Sequence, residues 1–181
     1  MKRIIAVDRI KNPYARRILS NILHKDPMKV YSQTPKTLKR LLKNTSEAKM
    51  RSHPFRGKWS IGQIISHLCD AELVMGFRYR MALAQSGSAL QAYDQDKWAD
   101  NLGYQSNNCR KKLELFIRMR EDHIALLRSL KAGEWERFGM HTERGKETVE
   151  RMLQMNAGHD VNHVKQIRRL RDATAGKKSD P

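Results

Sequence analysis

Cysteine is scarce in this chain and long apolar runs are missing, and both shortages restrict the class of protein. The two cysteines, Cys69 and Cys109, form no Cys-x-x-Cys pair, so the sequence indicates neither a disulfide framework nor a thiolate zinc site. No apolar stretch approaches the length of a membrane span. The opening residues 1–8 are basic and then apolar, but their apolar part is too short for a signal peptide. We therefore expect a protein of the reducing cytoplasm with no membrane partner.

Acidic residues are scarce as well, and the resulting positive charge is unevenly distributed. Against 36 Lys and Arg there are 19 Asp and Glu, which gives a formal net charge of +17. Residues 1–60 carry +13 and residues 165–181 carry +4, whereas residues 61–164 are neutral. A basic surface can attract nucleic acid. Because the neutral segment holds the candidate chemistry described below, nucleic acid is the less favoured partner, and we expect a solvated basic tail and a basic helix face.

Strand-like alternation is also missing, whereas helical periodicity is clear. The composition, 39% apolar and 30% charged, suits helices with well-solvated outer faces. Helix starts are indicated by Thr34 before a proline, by Ser60 in a capping box with Gln63, and by Thr148. The predicted helices are residues 34–48, 60–84, 108–130 and 148–171. The sequence therefore predicts an all-α protein, a single four-helix bundle with loops of unequal length.

The predicted domain organisation has three parts. They are residues 1–27, a basic N-terminal extension; residues 28–172, the four-helix-bundle domain; and residues 173–181, a polar C-terminal tail. Within the extension, residues 14–24 can form a short amphipathic helix. Two long segments, residues 85–107 and 131–147, are predicted to be loops, and the aromatic residues of the first indicate that it is docked on the bundle.

Three histidines in the predicted helices suggest a metal site. His159 and His163 are four residues apart, so both imidazoles project from one helix face and can converge on one ion. His67 lies between apolar neighbours in the second predicted helix. A lone buried histidine is more often a hydrogen-bonded core residue, which is the alternative. Three neutral imidazoles would leave a coordination position open, as in catalytic sites. The other helix and loop histidines are expected on the surface or on a helix face: His24, His53 and His123.

Carboxylates border these histidines. Asp70 and Glu72 follow His67 on the same predicted helix, and Asp160 is adjacent to His159. Each is a candidate general base, or a residue that orients a ligand imidazole. The alternative for each is a salt bridge to one of the nearby arginines, such as Arg78 or Arg80. Asp70, three residues after His67, is closest in angle around the helix and is the best candidate for orienting a ligand.

The order of several short motifs makes the chain similar to a known family. The similarity covers roughly residues 26–171, and the ordered set is far more specific than any one motif. The motifs include Asp26-Pro27, Thr34-Pro35, Trp59-Ser60-Ile61, His67-Leu68-Cys69-Asp70-Ala71-Glu72, Arg78-Tyr79-Arg80, Tyr93-Asp94, His141-Thr142-Glu143-Arg144-Gly145 and Gly158-His159-Asp160-Val161-Asn162-His163. In these motifs the chain resembles the DinB/YfiT-like superfamily, whose members are described as metal-dependent hydrolases.

This resemblance implies a fold, a metal and an oligomeric state. Members of the family are four-helix bundles of up-down-down-up topology and are frequently dimeric. Their metal, often nickel or zinc, is bound by one histidine of the second helix and a His-x-x-x-His pair of the fourth. Those ligands correspond to His67, His159 and His163 here. The resemblance therefore implies a homodimer and a divalent cation, nickel or zinc, with iron and manganese as alternatives.

The resemblance also implies an enzyme with a small-molecule substrate. The family includes thiol-dependent S-transferases and a maleylpyruvate isomerase. Thiol transfer is therefore a candidate reaction beside hydrolysis, and a low-molecular-weight thiol is a candidate cofactor. For thiol transfer, we expect Arg78, Arg80 or Arg144 at the pocket mouth, with plain surface placement as the alternative. His141 either lines the pocket or hydrogen-bonds its own loop. The competing function is a non-catalytic, metal-containing binding protein whose basic arms contact nucleic acid or a protein partner.

Overall fold

The structure is a computed structural model that describes residues 7–175. Its helices are α1 (Pro13–Ser20), α2 (Pro27–Leu42), α3 (Glu47–Arg51), α4 (Ile61–Ala84), α5 (Gln95–Asn101), α6 (Cys109–Ser129) and α7 (Val149–Ala175). Its strands are β1 (Ser88–Leu90), β2 (Phe138–His141) and β3 (Gly145–Thr148), and 3-10 turns cover Val7–Arg9 and Ala132–Glu136. Residues 1–6 of the predicted extension and residues 176–181 of the predicted tail lie outside the described residues. Within residues 7–175, no helix is both long and apolar enough to span a membrane.

Three of the four predicted bundle helices begin close to their predicted first residues, and two of the three predicted caps, Ser60 and Thr148, are present. At the start of α4, the Ser60 hydroxyl accepts from the Gln63 amide at 3.2 Å and the Gln63 side chain accepts from the Ser60 amide at 2.9 Å. The Thr148 hydroxyl likewise accepts from the amide of Arg151 at 3.1 Å at the start of α7. Helix α6 is capped by the side chain of Asn108. These side chains satisfy amides that have no partner within the helix.

The predicted start of the first bundle helix at Thr34 is wrong. Helix α2 begins at Pro27, where the side chain of Asp26 accepts from the amide of Lys29 at 2.9 Å. The Asp26-Pro27 pair offers the same N-cap and proline as Thr34-Pro35, and because it lies earlier in the chain the helix already begins there. Pro35 therefore lies inside the helix and leaves the carbonyl of Tyr31 without its usual helical donor. The helix also ends at Leu42 rather than at residue 48, before the separate α3.

The four long helices, α2, α4, α6 and α7, have the up-down-down-up arrangement. Contacts that fix their directions are Asp70–Lys112 and Arg80–Asp122 between α4 and α6, Leu42–Arg110 and Tyr31–Arg120 between α2 and α6, and His67–His163 and Glu72–Asn156 between α4 and α7. Helices α4 and α6 are therefore parallel to each other, and both are antiparallel to α2 and α7. This is the topology that the resemblance implied, and the four-helix bundle is confirmed.

The N-terminal helix α1 packs closely on α7. Its buried Ala15, Ile18 and Leu19 join one of the two apolar core clusters. A Cβ built on Gly158 of α7 would lie 2.3 Å from the carbonyl oxygen of Ile18, so only glycine permits this approach. The contact lies beside His159 and brings part of the predicted extension against the bundle. The domain boundaries at residues 27 and 172 remain predictions.

The two long segments predicted as loops contain a small sheet. Strand β1 pairs in parallel with β2, and β2 pairs antiparallel with β3. The strands are three or four residues long, which is too short for alternation to stand out in the sequence. Leu90 lies opposite His141 across β1 and β2. The sheet therefore fixes His141 at the end of β2, immediately before the β2–β3 turn.

A buried ion cluster joins all four bundle helices. Arg120 of α6 is fully buried, and its guanidinium donates to Asp160 of α7 at 2.6 and 3.1 Å and to Glu72 of α4 at 2.8 Å. It also donates to the carbonyl of Tyr31 of α2 at 2.9 Å. Glu72 accepts further bonds from the hydroxyl of Tyr31 at 2.6 Å and from His123 at 2.7 Å. Each bundle helix thus contributes at least one partner.

The charges of this cluster oppose the effect of burial. Burial raises the pKa of Glu72, but the charge of Arg120 and hydrogen bonds from His123, Arg120 and Tyr31 lower it to about 2. For Asp160, burial raises the pKa more than Arg120 lowers it. Burial lowers the pKa of Arg120, whereas the two carboxylates raise it well above its ordinary value. The guanidinium is therefore the fixed positive charge on which both acids depend.

We expect Arg120→Met to destabilise the fold severely. The substitution would leave two buried carboxylates without a countercharge, a change that typically costs about 3–5 kcal/mol. Urea denaturation of the metal-free protein measures the loss without a contribution from metal binding. Arg118→Met, at an exposed position on the same helix, is the matched control and should change the free energy of unfolding by less than about 0.5 kcal/mol. Equal stability of the two variants would contradict this role of Arg120.

Candidate metal centre

Helices α4 and α7 bring three imidazoles together where they cross the core. The Nε2 atom of His159 lies 2.9 Å from Nε2 of His67 and 3.0 Å from Nε2 of His163. Candidate ligand atoms of all three residues lie within 4.8 Å of one another. His159 and His163 are one turn apart on α7, so a single helix supplies a chelating pair. The sequence prediction that these three histidines share one site is therefore matched by their positions.

The chemistry of these nitrogens fits a cation. A ring nitrogen either carries a proton or offers a lone pair, and one proton cannot bridge three nitrogens that face one another. A cation can accept all three lone pairs. The Nδ1 atom of His163 lies 2.9 Å from Oε1 of Gln166, an acceptor that fixes the proton on Nδ1 and leaves Nε2 free for a metal. Within the described residues, the buried Nδ1 of His67 has no protein partner.

Burial keeps these imidazoles neutral, which is the ligating form. Burial, with a smaller effect of His163, lowers the pKa of His67 to about 3. Burial lowers the pKa of His163 to about 4, although its bond to Gln166 acts in the opposite direction. The pKa of His159 falls well below its ordinary value through burial and the charges around it. None of the three needs to lose a proton before binding a cation at neutral pH.

Two cavities meet at the three histidines. The first has a volume of about 310 Å³ and is lined by His67 and His159. The second has a volume of about 860 Å³ and is lined by His159 and His163. His159 therefore borders both, and an ion held there is accessible from two sides. Volumes in this range suit small-molecule ligands.

A family model described as the DinB superfamily matches residues 31–167, more than half of the chain. The chain belongs to the DinB superfamily. One similar protein, from Oceanobacillus iheyensis, is named "Putative metal-dependent hydrolase OB0782" and is 23% identical over 152 residues, 84% of this chain and 88% of that protein. Another, "Putative metal-dependent hydrolase YfiT" from Bacillus subtilis, is 25% identical over 146 residues, 79% of this chain and 81% of that protein.

Solved structures of other proteins share the fold. The structure of YfiT from Bacillus subtilis, described as having an unusual four-helix bundle topology, aligns with a TM-score of 0.76 at 21% identity and covers 82% of this chain and 86% of that one. A mycothiol-dependent maleylpyruvate isomerase aligns with a TM-score of 0.64 at 12% identity, over 78% of this chain and 59% of that one. The resemblance drawn from the sequence motifs is confirmed.

The candidate pocket residues of this DinB-superfamily chain separate into two groups. Arg78, His141 and Arg144 line the first cavity with His67. Burial, with the charge of Arg144, lowers the pKa of His141 to about 4, and its Nδ1 accepts from the amide of Glu143 at 3.2 Å. Arg80 lines neither cavity. Its guanidinium lies 2.6 Å from Asp122 at the surface.

The three candidate carboxylates line neither cavity, because each is held by other groups. Asp70 accepts from the hydroxyl of Tyr104 at 2.8 Å and from Lys112 at 3.2 Å. Glu72 and Asp160 belong to the Arg120 cluster described above. The salt-bridge alternative thus describes all three, but the partners are cations of α6 rather than the nearby arginines of α4. Each carboxylate contributes to the position of the helices that hold the ligands.

Several residues of the site had no sequence signal that placed them there. Tyr14 and Arg17, one turn apart on α1, line both cavities. The amphipathic pattern of residues 14–24 predicted a helix, but no local signal indicated that it would cross the site. The sequence indicated Trp59 only as part of the Trp59-Ser60-Ile61 motif, yet its ring centroid lies 5.2 Å from that of His67.

The remaining helix and loop histidines do not join the three ligands. His24 is exposed, and Nδ1 of His53 lies 3.0 Å from the carbonyl of Lys58. His123 is buried rather than on an open helix face, and it contacts Glu72 at 2.7 Å. Together with the three ligands and His141, these account for all seven histidines.

We expect His163→Ala to abolish most metal binding, because a chelating pair becomes a single ligand. Gln166→Leu should weaken binding less, by about 10–100-fold, since it removes only the acceptor that orients His163. Isothermal titration of Zn²⁺ and Ni²⁺ into chelator-treated protein measures both effects. His24→Ala, which removes an exposed histidine outside the site, is the control. Unchanged affinity in His163→Ala would refute the site.

Proposed function

We propose that the chain is a metal-dependent enzyme that acts on a small substrate. A divalent cation, nickel or zinc with iron and manganese as alternatives, would be held by His67, His159 and His163. The observation that carries the proposal is the convergence of three neutral Nε2 atoms where two cavities meet. The names of the similar proteins, metal-dependent hydrolases and a mycothiol-dependent isomerase, support it.

When bound there, the cation would supply Lewis acidity that lowers the pKa of a water or thiol beside it. His67, His159 and His163 would hold the cation as three uncharged ligands, which would leave its positive charge uncompensated. Ile18 and Trp59 border the second cavity and give it an apolar wall on that side. Arg17 borders both cavities and can attract an anionic group to either.

Two features favour thiol transfer over hydrolysis within this proposal. The cation site has a cavity on each side, so a thiol and its acceptor can approach it separately. In addition, Asp70, Glu72 and Asp160 are held in ion pairs and line neither cavity. A thiol loses its proton at a cation more readily than water does and needs no base, whereas hydrolysis would draw on another proton acceptor, for which His141 and Glu143 of the first cavity and Asp96 of the second are the groups present.

We expect the protein to catalyse thiol addition to an electrophile in a metal-dependent reaction. The probe is 1-chloro-2,4-dinitrobenzene with cysteine or glutathione: a C–S bond forms, the C–Cl bond breaks, and chloride and the thiol proton leave to solvent. The rate should fall on chelation, return with Ni²⁺ or Zn²⁺, and be lost in His163→Ala. Hydrolysis of p-nitrophenyl acetate without thiol is the parallel assay. If only the ester is hydrolysed, in a metal-dependent reaction, the enzyme is a hydrolase rather than a thiol transferase. Rates that do not depend on metal in either assay would reject the proposal.

Substitution of the three carboxylates should affect stability more than turnover. For Asp70→Asn, Glu72→Gln and Asp160→Asn, we expect turnover per bound metal to change by less than about tenfold, because these groups do not reach the cavities. Loss of a general base would cost roughly 10²–10⁴-fold with metal retained. Turnover, metal content and urea denaturation are measured on each variant. A loss of that size in one variant at full metal content would identify that carboxylate as the base.

A further inference from the structure

The first cavity contains a buried cation, Arg78, that forms no ion pair with a carboxylate of the described residues. Arg78 of α4 is 6% exposed and lines this cavity together with His67 and His159. One of its terminal nitrogens donates to the carbonyl of Gln91, and the other lies 4.0 Å from the sulfur of Met75. No carboxylate among residues 7–175 lies within 4.0 Å of its guanidinium. A buried guanidinium that has no anionic partner is costly, and an anionic ligand would remove that cost.

The other two arginines predicted for the pocket are already paired. Arg144 shares the first cavity, but its guanidinium binds both oxygens of Glu147, at 2.7 and 2.9 Å. Arg80, two residues from Arg78 on α4, lies at the surface and pairs with Asp122. Among these three, Arg78 alone combines burial, a cavity wall and the absence of a carboxylate partner. It is therefore the candidate for binding an anion in this cavity.

The floor of the cavity runs along one face of α4. His67 and Arg78 are eleven residues apart, which places them about 20° apart around the helix and about 16 Å apart along it. The α4 residues between them that line the cavity are apolar: Ala71, Val74 and Met75. The cavity thus has the three-histidine centre at one end, a guanidinium at the other and an apolar floor between them.

We infer that this cavity binds a small, elongated carboxylate. Its carboxylate binds Arg78, its apolar body lies over Ala71, Val74 and Met75, and its reactive end lies at the histidines. This inference rests on the proposed function for the identity of the reactive end. Among residues 7–175, Arg78 is the one guanidinium of this cavity that is both buried and outside an ion pair, since Arg17 is exposed and Arg144 is paired. With Glu143 on the same cavity wall, this suits a monoanion better than a phosphate dianion. The substrate class inferred for this cavity is therefore a carboxylic acid with a chain of several carbons.

The inference is tested by binding rather than by turnover. Acetate, hexanoate, hexanamide and hexyl phosphate are titrated calorimetrically into metal-free and Zn²⁺-loaded protein. Hexanoate should bind at least about tenfold more tightly than acetate, which lacks the apolar body, and than hexanamide, which lacks the charge. Arg78→Met should weaken hexanoate binding by about 10–100-fold, the range expected for a charge-assisted hydrogen bond. Arg80→Met, two residues away and outside the cavity, is the matched control and should leave binding unchanged.

A second variant covers the case in which Arg78→Met does not fold. Val74→Phe keeps Arg78 and fills the floor of the cavity, so it should abolish hexanoate binding while the protein remains folded by circular dichroism. A crystal structure with hexanoate should place the carboxylate within hydrogen-bond distance of the Arg78 guanidinium. A carboxylate found elsewhere, equal loss in the Arg78 and Arg80 variants, tighter binding of hexyl phosphate, or no hexanoate binding by the wild type would each overturn the inference.

The same titrations separate this inference from the proposed function. If Zn²⁺ does not bind but hexanoate binding depends on Arg78, the carboxylate subsite stands and the metal-dependent function fails. If Zn²⁺ binds at the histidines but hexanoate binding is independent of Arg78, the subsite fails and the metal-dependent function stands. Metal content is measured directly on each sample, so the two results are independent.

Discussion

The buried guanidinium of Arg120 is the interaction on which the geometry of the candidate centre depends. It pairs with Glu72 of α4 and Asp160 of α7, the two helices that carry His67, His159 and His163. Asp160 is the neighbour of His159, and Glu72 lies little more than one turn beyond His67. Bidentate contacts between a guanidinium and carboxylates have strict geometry. The cluster therefore fixes the distance and rotation between α4 and α7 at the level of the imidazoles.

Pro35 is part of the same arrangement. A proline inside a helix cannot donate to the carbonyl four residues earlier, which here belongs to Tyr31. That carbonyl instead accepts from Arg120 at 2.9 Å, and the guanidinium also lies 3.7 Å from the centroid of the Tyr31 ring. The helix defect thus supplies an acceptor that an uninterrupted helix would have used internally. It also explains why local sequence rules misplaced the helix start. Thr34-Pro35 has the sequence of a helix start, but Arg120 of α6 satisfies the carbonyl that Pro35 leaves free, so the helix continues through this pair.

The features that could be predicted from the sequence were those determined by neighbouring residues in the chain. Ser60 with Gln63 and Thr148 fixed helix starts, and the spacing of His159 and His163 indicated a shared face. What could not be predicted depends on long-range packing. Nothing local shows that Gly158 admits the backbone of α1, or that carboxylates of α4 and α7 select an arginine of α6. The distinction between Arg78 and Arg80 was accessible in principle, because they lie about 200° apart on α4 and only Arg78 is in phase with His67.

The charges around the three histidines indicate a role for the excess of basic residues other than nucleic-acid binding. Three neutral imidazoles leave a bound divalent cation with its full charge, and Arg17 and Arg78 add further positive charge to the adjoining cavity. No acidic ligand of the chain offsets this within the three-histidine set. We therefore expect the site to attract anions, and a carboxylate or a thiolate would neutralise it on binding. A net charge of +17 extends the attraction beyond the cavity, because a positive field raises the rate at which anions arrive. Under the proposed function, the basic surface would attract an anionic substrate, and a cation held by neutral ligands would be neutralised by that substrate's charge.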